Sequence, residues 1–324
     1  MTKWIKNVLG IIIVIFLLWY LSRHWGKLKF LIKLSAAELI IIYLVSSLAT
    51  LNSAYIIQRL LKTLKVRTSF WDMVLLQNAT YLLNYVPMKF GTVFRANYLK
   101  RHYGLRYAQF GTFFVYIMLL MAATASIVGL VVLVAVYGVA GYERKVLAAV
   151  FLGVLAFSVL SAFIPLPIPK GSGKLSTILR DFLISRQQIT RDKYTLFVCT
   201  TLLLGVFIMS SVRLGIIYNS MGQNVHPAGY LVLGALGFVT MFVSLTPGSL
   251  GIRELVLGSG AIVLGIPFEV GILAAMIDRA IALSWVFVVG GACTGWLWHK
   301  SPADFKKHKH VPCPKIRADY LGPS

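Results

Sequence analysis

Polar and apolar positions fall into long blocks along this chain rather than into a short period. No Asp, Glu, Lys or Arg occurs in Leu39–Gln58, Tyr107–Tyr142, Val146–Pro169, Tyr194–Val212, Leu214–Ile252 or Ala280–Trp298. A helix needs about 20 apolar residues to cross a bilayer, so these runs predict membrane helices. Val8–Leu21, preceded by Lys3 and Lys6, adds another apolar segment. It is followed by Ser22-Arg23-His24-Trp25 rather than by the small residues of a cleavage site, and it reads as an uncleaved first helix.

Two blocks are interrupted. Phe70–Arg106 breaks at Pro87–Gly91, and Gly229–Gly265 breaks at Pro247–Gly251. Proline removes a backbone donor and lipid offers no substitute, so each block reads as a broken hairpin that enters and leaves on one side. The expected fold class is an all-α polytopic membrane protein with about six full transmembrane helices plus two re-entrant broken hairpins, eight segments by hydropathy. The halves also align at one offset of 160 residues. That shift carries Leu34–Gln58 onto Tyr194–Tyr218, Phe70–Arg106 onto Tyr230–Ile266, Pro87 onto Pro247 and Gly91 onto Gly251. The P-x-x-x-G spacing alone carries nothing, because it recurs at Pro167–Gly171 and Pro267–Gly271. Its matched place in two hydrophobic blocks is the signal.

The expected organisation is a single transmembrane domain over residues 1–298 and a basic cytoplasmic tail over 299–324. Repeat 1 spans about 8–142 and repeat 2 about 146–298, with an amphipathic linker at 170–193 inside the second. Three full crossings per half would invert one repeat relative to the other. Inverted repeats with paired Pro/Gly breaks point to a transporter-like site near the bilayer midplane. In the linker, Leu175, Ile178, Leu179, Phe182 and Leu183 share a helical face. That face suits either a helix lying in the membrane interface or a connecting helix packed on the bundle.

Charge sets the orientation. The chain has 32 Lys and Arg against 10 Asp and Glu, a net +22. With the N-terminus, Arg59–Arg67, Lys100–Arg106, Lys170–Lys193 and the tail inside, 21 basic residues face the cytoplasm. Six lie opposite, four of them in Arg23–Lys33. This positive-inside bias predicts a multi-pass cell-membrane protein with both termini cytoplasmic. No soluble basic domain exists to bind nucleic acid, and anionic lipid is the expected partner of the charge. Cys199, Cys293 and Cys313 are unpatterned, the six histidines have no metal-ligand spacing, and no phosphate-cradling loop or nucleophile elbow occurs. No cofactor or metal is implied, and a catalytic role is disfavoured.

Ionisable residues inside apolar segments are costly and default to functional candidates. The first hairpin supplies Asn84, Pro87, Lys89, Gly91 and Arg95; the second supplies Thr246, Pro247, Gly248, Gly251, Arg253 and Glu254. The last apolar segment adds Asp278 and Arg279. A half-helix starting after either proline presents free N–H groups and a positive dipole end. With Lys89, Arg95 and Arg253 beside it, the expected ligand is an anion, most simply a lipid phosphate. The bland alternatives stand beside this reading. Arg253 and Glu254 would then cap a half-helix or pair with Asp278 or Arg279, and Lys89 and Arg95 would snorkel to the surface. Arg213, near a helix end, reads as an interfacial residue.

At these positions the sequence resembles the lysylphosphatidylglycerol synthase transmembrane family and is similar to the flippase region of multiple peptide resistance factor. The carriers are Asn84-Tyr85-Val86-Pro87-Met88-Lys89-Phe90-Gly91 with Arg95, and Thr246-Pro247-Gly248-Ser249-Leu250-Gly251-Ile252-Arg253-Glu254. Thr92 stands where the family often has an acidic residue, and Ser249 replaces a glycine. The resemblance covers the membrane region and does not imply lysyl transfer. It implies lipid translocation between leaflets, or service to a lipid or glycan pathway. The competing readings are membrane-embedded catalysis through Glu254 or Asp278 and an accessory role to a separate glycosyltransferase or lipid synthase.

Overall fold

A computed structural model describes residues 34–85, 90–164, 173–223, 225–240 and 251–304. Val8–Leu21, the Arg23–Lys33 segment and the tail beyond Asp304 lie outside the described residues. The described chain is helical, with no strand among the described residues. Helix α1 is Ala36–Thr63, α2 Phe70–Leu83, α3 Phe90–Tyr103, α4 Tyr107–Val132, α5 Tyr142–Phe163 and α6 Lys174–Arg191. Then follow α7 Lys193–Ser220, α8 Pro227–Val239, α9 Ile252–Val263, α10 Phe268–Trp285 and α11 Gly291–Asp304. Five-residue π-helical segments, Leu133–Tyr137 and Val286–Gly290, continue α4 and α10.

Length sorts these helices into two kinds. Five continuous stretches are long and apolar enough to cross a membrane: Ala36–Thr63, Tyr107–Tyr137, Tyr142–Phe163, Lys193–Ser220 and Phe268–Leu297. These are five of the six expected full crossings, the sixth being Val8–Leu21. By contrast α2, α3, α8 and α9 have 14, 14, 13 and 12 residues. At 1.5 Å per residue each is about 18–21 Å long, short of the ~30 Å hydrocarbon core.

Lipid as solvent explains the local chemistry. Hydroxyls on α1 bond back to the carbonyl four residues earlier: Ser46 to Ile42 at 2.8 Å, Ser47 to Tyr43 at 2.7 Å and Thr50 to Ser46 at 2.9 Å. Each of these hydroxyls thereby finds an acceptor within its own helix. Large apolar side chains cover the outer face of α5, where Leu152, Phe157, Leu160 and Phe163 are all exposed. Such a surface is stable in lipid and would aggregate in water.

Two hydrophobic cores lie side by side. One gathers α1, α2, α3 and the first half of α4 with Cys199, Leu203 and Val206 of α7. The other gathers the later parts of α4 and α7 with α8, α9 and α10. Phe238 on α8 packs against both. Across the molecule α1 packs on α7, α4 packs on α8, and α2 packs on the π segment after α10 and on α11.

The linker helix α6 divides its faces. Its C-terminal part is packed on the bundle through buried Leu183, Ile184 and Ile189. Arg106 pairs with Asp181 at 2.9 Å, and the Tyr116 and Thr190 hydroxyls are 2.9 Å apart. Arg186 donates to the Ala162 and Ile164 carbonyls at 3.3 and 2.5 Å and so caps the end of α5. Ile178 and Leu179, on the first turns, are exposed; the side chain of Leu175 lies outside the described ones. The packed reading thus holds for one half of the helix.

Asp192 joins α7 to the bundle. Its carboxylate accepts from the Thr195 amide at 3.0 Å and hydroxyl at 2.7 Å, and from Thr63 of α1 at 3.3 Å. The Thr195 hydroxyl above all, with its amide, holds the Asp192 carboxyl below its ordinary value of 3.8. A depressed carboxyl pKa contributes stability at neutral pH that disappears as pH falls through that lowered value. Asp192→Ala is expected to cost about 1 kcal/mol in thermal unfolding in detergent at pH 7. The gap from the parent should close in strongly acidic buffer.

Candidate functional site

The first interrupted block folds as two antiparallel arms, and its pairings fix the register. At the open end the Tyr103 hydroxyl donates to Asp72 at 2.5 Å. Further along, Arg95 donates to the Thr80 hydroxyl at 3.2 Å and to the Gln77 side-chain carbonyl. Near the break the Asn84 side-chain oxygen accepts from the Thr92 amide at 3.1 Å and hydroxyl at 3.4 Å. Gly91 permits this approach. A Cβ there would strike the Thr80 carbonyl and lie 2.9 Å from the Asn84 nitrogen. Pro87 and Lys89, in the connection between the arms, lie outside the described residues.

Arg95 is buried and, among the described residues, no carboxylate pairs with it. Snorkelling does not describe it. It is a cation held by neutral acceptors on the facing arm.

The second block also folds back on itself, with Gly237 of α8 facing Arg253 and Leu257 of α9. Thr246, Pro247 and Gly248 lie outside the described residues. The described chain resumes at Gly251, whose φ of +84° is the left-handed region that favours glycine. Glu254 reaches back to accept from the Gly251 amide at 2.8 Å, which caps the start of α9. Its other oxygen lies 2.8 Å from Arg279 as an ion pair without hydrogen-bond alignment. Gly258 and Ala261 meet Gly271 across the α9–α10 seam, so the two helices approach closely. That approach brings the α9 start beside Asp278 and Arg279.

Asp278 is the hub of the cluster. It is fully buried, and Arg213 grips it with two donors at 2.5 and 3.2 Å. Arg253 donates to the same carboxylate at 2.7 Å. Arg213 also reaches Ser46 on α1 at 3.4 Å. Tyr85, at the end of the first hairpin's leading arm, lies within interaction range of Arg253 and Arg279. Five elements therefore converge: α1, α7, α9, α10 and the end of the α2 arm.

The sequence expectation for Arg213 is corrected by this geometry. It lies seven residues inside α7, which ends at Ser220, and its guanidinium is committed to Asp278 rather than turned to the surface. A lone arginine between two long charge-free runs was the available signal. Gln77, Thr80, Tyr85 and Ser46 were not singled out either, since uncharged polar residues in a helix give no pattern until a partner faces them. The capping and pairing alternatives for Arg253 and Glu254 are both present. They do not exhaust the cluster, however, because three guanidiniums meet two carboxylates.

Exposure separates those two charge types. The carboxylates of Asp278 and Glu254 keep 0% and 2% of their accessibility, whereas Arg213, Arg253 and Arg279 keep 17%, 22% and 11%. The carboxylates are the more deeply buried partners. Guanidiniums are donors suited to planar, bidentate pairing with carboxylate or phosphate.

Helices long enough to span, short paired arms between them and a buried charge cluster at their meeting point define a polytopic integral membrane protein. The chain belongs to the family described as the lysylphosphatidylglycerol synthase TM region, which matches residues 7–291. No curated protein and no solved structure matches it.

Proposed function

We propose that this protein moves an anionic lipid, phospho- or polyprenyl-phosphate-linked, between membrane leaflets. The headgroup is held at the Arg253 cluster while the tail stays in lipid. One observation carries the reading: within a membrane domain, three arginines, two of them partly exposed, converge on two buried carboxylates. In hydrocarbon such charge is costly and marks a polar pathway. Arg95, one hairpin away and without a carboxylate, supplies a second cationic station.

The architecture supports an inverted-repeat reading. A shift of 160 carries α3 onto residues 250–263, against Ile252–Val263 for α9, and α4 onto 267–292, against Phe268–Trp285 for α10. The packing is reciprocal under the same pairing. The first half's α4 lies on α8, the second half's α10 extension lies on α2, and the equivalent α1 and α7 pack on each other. Arms too short to cross and folded antiparallel suit re-entrant hairpins that meet near the midplane.

Catalysis through Glu254 or Asp278 is disfavoured by their placement. Both carboxylates are buried and committed to arginines, so neither is free to trade a proton with substrate. The accessory reading, service to a separate glycosyltransferase or lipid synthase, has no contact here that favours it. Purified protein in vesicles should move the headgroup of a labelled phospholipid or polyprenyl-phosphate lipid faster than protein-free vesicles do. No acceleration with any of these lipids would reject transport.

A further inference from the structure

Among the described residues the cluster holds one more cation than anion. Arg213 and Asp278 share a two-donor contact and form one neutral pair; Arg279 and Glu254 form a second. Arg253 is the remainder. It holds Asp278 by a single donor at 2.7 Å, on the Oδ2 that Arg213 already approaches at 3.2 Å. Its side chain also keeps the most exposure of the three arginines, at 22%.

We propose that Asp278 sets the charge of the lipid headgroup this site accepts. It occupies Arg253 at rest and yields that guanidinium to a ligand carrying one negative charge. The inference rests on the anionic-lipid reading above. When the ligand phosphate takes the open face of Arg253, Asp278 remains with Arg213, so no carboxylate is left unpaired in hydrocarbon. The loaded cluster is then neutral, with three guanidiniums against two carboxylates and one phosphodiester. A phosphomonoester, near −2 once its second proton is lost, would leave the cluster with uncompensated negative charge beside Asp278. Like-charge repulsion in a low-dielectric site is larger than in water. The ligand class is therefore the phosphodiester headgroup. Asp278 acts through Arg253 as a specificity-determining residue and does not itself touch the lipid.

The distinguishing experiment titrates the full-length protein in zwitterionic detergent at pH 8. The ligands are short-chain phosphatidylglycerol, a phosphodiester, and short-chain phosphatidic acid, a phosphomonoester. The wild type is expected to favour the diester. Asp278→Asn raises the net charge by one and should shift the preference toward the monoester by about tenfold. Asp278→Glu should keep the wild-type order. The double replacement Arg213→Gln/Asp278→Asn restores the original net charge and should restore that order. A diester-to-monoester ratio unchanged by Asp278→Asn, with both lipids still bound, would overturn the inference while leaving the anionic-lipid reading intact. Binding of neither lipid by the wild type would overturn both. If Asp278→Asn does not fold, Arg253→Gln decides. It should weaken the diester about tenfold, and an unweakened diester would place the ligand elsewhere and overturn the proposal.

Discussion

Asp278→Leu is expected to cost about 3–5 kcal/mol, because it leaves Arg213 and Arg253 as uncompensated charges in the membrane interior. The carboxylate is fully buried and accepts from both arginines. Arg213→Leu alone should also destabilise, since Asp278 then keeps one donor from Arg253 in place of three in total. The informative variant is the pair. Arg213→Leu/Asp278→Leu removes a matched cation and anion, and a buried pair replaced by apolar side chains is often close to neutral. It should therefore recover more than half of the loss caused by Asp278→Leu. Thermal unfolding in detergent of the four proteins measures this cycle. Additive single-variant losses would mean that Arg213 and Asp278 do not act as a unit.

Gly91→Ala is expected to destabilise by about 3 kcal/mol, at the upper end of overpacking costs. The added methyl meets the Thr80 carbonyl and the Asn84 side chain and amide, so relief requires the arms to part rather than a side chain to rotate. Parting them pulls Arg95 from Thr80 and Gln77 and Thr92 from Asn84. On the transport reading the variant should also slow headgroup movement, since Tyr85 at the end of the leading arm interacts electrostatically with Arg253 and Arg279. Gly111→Ala is the control: a Cβ at that position meets nothing within 4 Å. Equal unfolding temperatures for the two variants would show that the arms are not in close contact at Gly91.

Much of the fold was legible because lipid makes demands that sequence cannot hide. Charge-free runs of sufficient length mark helices long enough to span, except where a proline break divides the run as in Leu214–Ile252. The five long apolar helices fall where the unbroken runs lie. The interruptions were legible for the same reason: Pro87 and Pro247 could not sit in an ordinary membrane helix, and the flanking helices are half-length. Arg253, Glu254, Asp278 and Arg279 stood out as charges in apolar sequence, and the fold brings all four together. What sequence could not supply was the partition among them. Arg213 is 65 residues from Asp278, and only the packing of α7 on α10 shows that it shares this carboxylate with Arg253. Arg95 was visible as a charge, but its bonds to Gln77 and Thr80 depend on the antiparallel register of two arms whose connection carries no pairing code. Thr92 illustrates the same point. Its backbone amide and its hydroxyl tie the two arms together through Asn84, a contact visible only once the arms face each other.

The central claim is that the arginine cluster at the start of α9 carries a lipid headgroup across the bilayer. Its most direct test compares wild type and Arg253→Gln in the same vesicle assay, at matched protein content, with headgroup-labelled phosphatidylglycerol. The account predicts headgroup movement well above protein-free vesicles for the wild type and a rate near the protein-free level for Arg253→Gln. Equal rates for the two folded proteins would contradict it.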